Sequence, residues 1–517
     1  MSVPWFYPDK VSAAPGDVVT LFASAEQSPC ELIVRREGLA SREVKRVPGI
    51  EVDAHAIPEH ADRNGCGWPA ACRLEIEADW TSGYYDLEMV DSQGGSTHHF
   101  ICVRTGSSLT SARAVIILST NTYTAYNYWG GSNAYADVEG LLDRKVSPDE
   151  SRAGAIAQLS RMRPYPQNLI YPPEGVPRLV NYTPRGLNET PIPGDPSWYR
   201  QHRLSPYDGS ACFMRKWEHV FVTWCEQHNI ELDYLTDHDF LNGGEELLGK
   251  YACVLVVGHS DYWSRAQRNA IDDFVDGGGH LAVFSGNTCY WTVRWDEDGL
   301  TMVTYKTKGE QDDPVWANPD TRPEATHLWS HPVFEQPEAK LLGLSFLYGG
   351  YHRLAMCAAR GAGGYTIYDD QHWSLEGADL FYGDVLGADL PLIGYENDGC
   401  LIQIGGDGLP QPGGVGVPEN LEIIGLAPAT LYESERSPYP KMIPKEDVEV
   451  LAQIAHGASD DQAVERLARG HAVMASFRRN EGEVFNAGTT EWVHGLDAGD
   501  PFVERITMNV LKRFHAA

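Results

Sequence analysis

Three stretches of the chain hold more tyrosine, carboxylate and amide than a connecting loop needs. They read Ser119-Thr-Asn-Thr-Tyr-Thr-Ala-Tyr126-Asn-Tyr-Trp-Gly-Gly-Ser-Asn-Ala-Tyr135, Gly258-His259-Ser260-Asp261-Tyr262-Trp263 and Ser285-Gly286-Asn287-Thr288-Cys289-Tyr290-Trp291. Phenolate is a hard, anionic oxygen donor and a known axial ligand of iron. Two phenolates and one carboxylate would neutralise a trivalent ion and leave a position open for water. The usual zinc spacings are missing, with no His-Glu-x-x-His, no Cys-x-x-Cys and no clustered histidines. Loop tyrosines also pack and hydrogen-bond, so composition alone leaves ligand and wall both open.

The flanking segments say where these loops sit. Arg113–Leu118, Cys253–Val257 and His280–Phe284 read as apolar strands, and Glu231–Leu235 as another. Cys212–His228 and Arg265–Val275 have helical spacing, the second ending at Gly277-Gly278-Gly279, and Phe240–Leu248 reads as a short helix. Strands alternating with helices predict a mostly parallel, doubly wound α/β sheet. Ligands bind such a sheet beyond the C-terminal ends of its strands, where all three loops emerge. The second loop has the outline of a nucleophile elbow: apolar strand, Gly258, then polar residues entering a helix. Glutamine-amidotransferase-like domains carry a cysteine at that turn, whereas here it holds His259, Ser260 and Asp261. Ser260 could be a serine nucleophile, but no Gly-x-Ser-x-Gly frames it.

Residues 1–108 read as all-β, with Val18–Ser24, Glu31–Arg36, Cys72–Glu77, Tyr84–Val90 and His99–Arg104 as short strands, and predict an immunoglobulin-like sandwich. Residues 109–517 are then expected to form the amidotransferase-like α/β domain. It carries a proline-rich, loop-rich insertion at 140–210 and C-terminal additions with helices near Glu446–Ile454 and Phe502–Phe514. Lysine and arginine number 41 against 72 aspartates and glutamates, a formal charge of −31 that argues against nucleic acid and anionic membrane as partners. No apolar run reaches membrane length. The N-terminus lacks the features of a secretory signal, and the scattered cysteines suit a reducing compartment, so the cytoplasm is expected.

At the same loops the sequence resembles the N,N-dimethylformamidase large-subunit family. The matching segments are Thr122–Gly131, Val256–Ser264 and Gly277–Trp291, then His372–Gly377, Gly394–Gly399 and Val484–Val493, in the family's order. The resemblance implies an amidohydrolase that cleaves the C–N bond of small, neutral N-substituted amides at a mononuclear Fe(III). It places the metal ligands on Tyr126, Tyr135 and Asp261. His259 would stand beside them as proton carrier, Asn287 would donate to the substrate oxygen, and Glu396 would handle the amine proton. Lys306, with Lys308 as its rival, completes the set, and Tyr123, Tyr128, Tyr262 and Tyr290 are left as wall residues. The family has glutamate where this chain has Asp261, a reach shorter by roughly 1.5 Å, which leaves the identity of the metal open. The family's large subunit is also longer and works with a small partner, so an accessory subunit and a homo-oligomer are both open here. Two rival readings stand beside this one. The first is a non-catalytic protein that binds small molecules or carbohydrate on its aromatic loops. The second is a metal-free serine hydrolase using Ser260.

Overall fold

The computed structural model describes residues 3–106, 110–135, 156–172, 212–242, 244–352, 363–388, 390, 392–431, 443 and 445–516. At the N-terminus, Trp5–Pro8, Val18–Ser24 and Ala70–Glu75 form one antiparallel sheet. Ser12–Ala13, Ser96–Val103, Gly83–Val90, Cys30–Glu37 and Arg42–Ile50 form a second. Along Val18–Ser24 burial alternates residue by residue, so Val19, Leu21 and Ala23 meet Leu32, Val34, Leu87 and Met89 of the other sheet in one core. The strand Arg42–Ile50 is not announced by hydrophobic pattern. Its exposed, charged residues suit the sheet edge it occupies, where they discourage further pairing.

The central sheet has nine strands, numbered here along the chain: β1 Ala114–Leu118, β2 Leu232–Thr236, β3 Cys253–His259, β4 His280–Gly286, β5 Tyr365–Ile367, β6 Val385–Leu386, β7 Glu422–Ala429, β8 Gly470–Arg479 and β9 Gly482–Asn486. Their spatial order is β2-β1-β3-β4-β9-β8-β7-β5-β6. The helices that matter for the site are α1 Thr120–Tyr126, α2 Trp217–Gln227, α3 Arg265–Asp276 and α4 Pro501–Arg513. Alternate residues of β1 and β3 feed two cores. Ile116, Leu118, Leu255 and Val257 pack with Phe221 and Trp224 of α2 and Val503 and Val510 of α4. Val115, Ile117, Val254 and Val256 face the other way, toward Ala270, Ile271 and Val275 of α3. Burial on both faces explains why these strands are continuous apolar runs. Ser264 caps α3 by accepting the Gln267 N–H at 3.2 Å, and Asp500 does the same for α4 ahead of Pro501.

The expected doubly wound, amidotransferase-like α/β fold preceded by an immunoglobulin-like sandwich is not what forms. Parallel pairing covers β2-β1-β3-β4-β9 only, and β8, β7, β5 and β6 continue the same sheet antiparallel. The reason lies in the connections. Arg479 pairs with Gly482, so β8 and β9 are joined by only Asn480 and Glu481, and a link that short permits antiparallel neighbours alone. Among the described residues more lie in strands than in helices, and they make six sheets rather than one wound sheet. One small sheet matters for the site: Tyr262–Ser264 pairs in parallel with Trp291–Trp295, which continues through Thr301–Val303 to Gln158–Ser160. Of the expected insertion at 140–210, residues 156–172 supply that last strand and the rest lies outside the described residues.

Gly286 ends β4 against a neighbouring backbone. A Cβ built there would lie 2.3 Å from the Glu396 carbonyl oxygen and 2.8 Å from the Thr490 nitrogen. Neither atom can swing aside, so Gly286→Ala should cost about 2–4 kcal/mol of stability, read by urea unfolding. A variant as stable as the parent would show that this approach is looser than the geometry indicates.

Candidate active site

The site begins where β3 ends. Gly258 has φ +79°, and a Cβ on it would lie 2.4 Å from Cβ of Trp217, the first residue of α2. Only glycine lets the chain turn out of the sheet beneath that helix. The next three residues, His259, Ser260 and Asp261, are almost wholly buried. Asp261 is the point at which three loops meet. Its carboxylate accepts from Thr122 of α1 at 2.9 Å, and its backbone N–H donates to the same hydroxyl at 3.3 Å. Its carbonyl accepts the N–H groups of Tyr290 and Trp291 at 2.9 and 2.7 Å, from the loop after β4. Asn121 donates to the Tyr262 carbonyl at 3.1 Å and so pins α1 to the same turn.

The seven residues singled out from the sequence come together here. Tyr126 and Tyr135 stack with ring centroids 4.6 Å apart, and their hydroxyls hydrogen-bond to each other. The Tyr135 hydroxyl donates to Asp261 Oδ2 at 3.2 Å. His259 Nε2 lies 2.6 Å from Glu396 Oε2 and 3.7 Å from Asp261 Oδ2. Lys306 Nζ sits 3.1 Å from the centre of the Tyr135 ring. Asn287 is buried, and its backbone N–H donates to Asp398 Oδ1 at 2.9 Å. Both Asn287 and Lys306 are left-handed, with φ +53° and +54°, a conformation that non-glycine residues hold only where surroundings enforce it. Lys308, the rival to Lys306, lines the same cavity. Ser260 accepts the Trp263 indole N–H on its Oγ at 2.9 Å, and Trp263 belongs to the core below.

Electrostatics follow from this crowding. Burial raises the Asp261 carboxyl above its usual range and Glu396 adds to the rise, against the opposing pull of His259, the Thr122 hydroxyl and Lys306. Tyr126 is pushed well above 10 by burial and then by Asp261; Tyr135 likewise by burial and then by Tyr126. Tyr135 is half-buried by surface, but its hydroxyl is enclosed by Asp261 and Tyr126. Three acidic oxygens thus share protons in a dry place. A multivalent cation would reverse that balance and draw all three into their anionic forms. Among the described residues no group of three histidines, cysteines, aspartates or glutamates could hold a metal, so a metal at this point would depend on the phenols.

Several contributors carry no sequence signal of their own. Thr122 is one of three threonines in its loop and helix, and only the fold turns it onto Asp261. Tyr395 meets the His259 ring edge-on at 6.0 Å, and Trp217 does so at 5.9 Å. Trp217 and Glu218 open a helix whose spacing reads simply as core. Glu218 is fully buried and accepts the Tyr123 hydroxyl; burial raises its carboxyl to about 7 against the opposing pull of the Tyr123 hydrogen bond and, last, of His259. Tyr126, Tyr135, Asn287 and Glu396 are among the residues that line a cavity of about 230 Å³, and His259 and Asp261 reach it through their contacts with Glu396 and Tyr135.

Comparison with known proteins bears on this geometry. The profile of a family described as N,N-dimethylformamidase beta subunit-like, C-terminal, matches residues 35–506. The N,N-dimethylformamidase beta subunit of Alcaligenes sp is 33% identical over 72 residues, and that of Paracoccus aminophilus 31% identical over 72 residues. Each of these alignments covers 14% of this chain and 9% of the relative.

Glu218 gives the site a pH signature. Its carboxyl ionises near 7 in the folded protein and near its ordinary 4.5 when unfolded, so between those values the folded state holds the extra proton. Stability must therefore fall as pH rises through that window. The whole fall amounts to about 3 kcal/mol at most, and Glu218→Gln should remove it. Unfolding at about pH 5 and about pH 8 reads the effect: the advantage of the glutamine variant should grow toward the higher pH. An advantage that stays constant would place the Glu218 titration elsewhere.

Proposed function

The chain belongs to the N,N-dimethylformamidase beta subunit-like family, and from that membership we propose that it hydrolyses the C–N bond of N-substituted amides. We propose further that Tyr126, Tyr135 and Asp261 hold a mononuclear ferric ion. The observation that carries the reading is the meeting of the Asp261 carboxylate with the Tyr135 hydroxyl and its stacked partner Tyr126, two tyrosines that line a cavity. The donor set suits a hard trivalent ion: three oxygens, three potential charges, and no soft ligand. Asp261, the shorter acid, stands 3.2 Å from the Tyr135 hydroxyl, which supports a ligand position shared by the two side chains. When bound, such an ion supplies positive charge that polarises an amide carbonyl and lowers the pKa of water.

The chain's own residues have separate tasks. Asn287, locked in its left-handed turn by Asp398, offers its side-chain amide to the carbonyl oxygen as negative charge develops there. The His259–Glu396 pair, at 2.6 Å, holds a proton that can pass from the attacking water to the departing nitrogen. Lys306 over the Tyr135 ring favours the phenolate over the phenol. Glu396 lines the cavity while His259 stands behind it, so the pair reaches the reacting atoms through the carboxylate.

Release of amine from N,N-dimethylformamide and related N-substituted amides tests this directly. Asn287→Ala should lower kcat by about 10²–10³-fold, the usual cost of one oxyanion donor. Asp261→Ala should abolish turnover and, by leaving the buried Thr122 and Tyr135 hydroxyls unmet, lower stability by about 1–3 kcal/mol, while the far-UV circular dichroism of the folded protein stays unchanged. Full turnover by Asp261→Ala would remove Asp261 from the site, and no amine from any amide would remove the hydrolase.

A further inference from the structure

Accepting the amide-hydrolase reading, on which this rests, we infer that the substrate carries an aromatic group on its amide, as an N-aryl or N-arylmethyl formamide does. The cavity lined by Tyr126, Tyr135, Asn287 and Glu396, among others, measures about 230 Å³. A cavity of roughly 150 Å³ is enough to take up benzene. Dimethylformamide has fewer heavy atoms than benzene, so it would leave most of this space to water. One aromatic ring joined to an amide fills it.

The wall is built for a ring. Trp291 meets Tyr290 at 4.6 Å and 73°, Tyr290 meets Phe346 at 5.2 Å and 80°, and Phe346 meets Tyr351 at 5.4 Å and 90°. Tyr351 then meets Tyr395 at 5.9 Å, and Tyr395 meets His259 at 6.0 Å and 84°. Most of these contacts are edge-to-face, the arrangement in which the positive rim of one ring meets the negative face of the next. Each ring packs against its neighbour, so the wall is largely formed before a ligand arrives, and its apolar surface suits a ligand ring better than a small polar amide. The chain of rings runs from the cavity to the histidine of the proposed proton pair, so a substrate ring held along it places its amide toward Asn287 and Glu396. Lys306 and Lys308 line the cavity together with Asp312 and Asp447, and this mixture of signs selects a neutral molecule rather than a cation that aromatic rings would otherwise attract. The reaction is plain hydrolysis. Water oxygen bonds to the carbonyl carbon, the C–N bond breaks, and the arylamine leaves with the proton as the carboxylic acid forms.

The test compares N-phenylformamide with N,N-dimethylformamide on the full-length protein. Binding is followed by intrinsic tryptophan fluorescence, since Trp291 stands in the wall, and turnover by amine release. The aryl amide should bind at least tenfold more tightly and be cleaved with at least tenfold higher kcat/KM. Leu451→Trp, which narrows the cavity, should cut that preference by a further factor of ten or more. Cleavage of dimethylformamide with equal or weaker binding of the aryl amide would overturn the substrate claim and leave the hydrolase standing. Tight binding of the aryl amide with no cleavage of either compound would overturn the hydrolase reading and this inference with it.

Discussion

A carboxylate with no exposed surface organises this protein. Asp261 cannot be hydrated, so every polar atom it presents must be met by the chain. Thr122 and Tyr135 meet the side chain, Thr122 also meets the backbone N–H, and Tyr290 and Trp291 meet the carbonyl. These partners come from the loops that follow β1 and β4, on either side of the strand that delivers Asp261. The requirement to satisfy one buried acid therefore ties the ends of three adjacent parallel strands together. The small sheet in which Tyr262–Ser264 pairs with Trp291–Trp295 is the continuation of the same tie.

The tie forces backbone choices elsewhere. To bring Tyr290 and Trp291 under Asp261, the loop after β4 passes through two left-handed residues, Asn287 and Cys289. Asp398 accepts the N–H groups of Asn287 and Thr288 at 2.9 and 3.3 Å and so holds that loop from the far side. Burial raises the Asp398 carboxyl to about 8, which marks it as a second acid held against the preference of its surroundings. Asp261 also feels the like charge of Glu396, and Asp398 that of Glu338, so each is relieved by a shared proton or a cation. Structure and proposed chemistry therefore rest on the same condition.

Sequence reasoning reaches far into the parallel half of the sheet. β1, β3 and β4 are buried on both faces and so appear as unbroken apolar runs, and α3 is bounded by Ser264 and the three glycines after Asp276. The antiparallel half is hidden for the opposite reason. β5 and β6 are three and two residues long, and β7 interrupts its apolar run with glycine and proline. Nothing local in such segments specifies a partner, and the doubly wound expectation fails there. At the site, the loops that meet at Asp261 are legible because they carry surplus polar groups that packing does not require, whereas the choice of Tyr126, Tyr135 and Asp261 within them is what the family resemblance implies. Thr122, Tyr395 and Glu218 are not, since a threonine, a tyrosine and a glutamate at the edge of a helix or strand have many ordinary uses. Their part is set by which neighbours the fold supplies.

The claim that most of this depends on is that two phenols and Asp261 form one ferric site. Elemental analysis of the purified protein, combined with its visible spectrum, tests it most directly. A ferric site there would give about one iron per chain and a broad tyrosinate-to-iron charge-transfer band that dithionite bleaches and that Tyr135→Phe lacks. A colourless protein filled with zinc, or one that is fully active without metal, would contradict it.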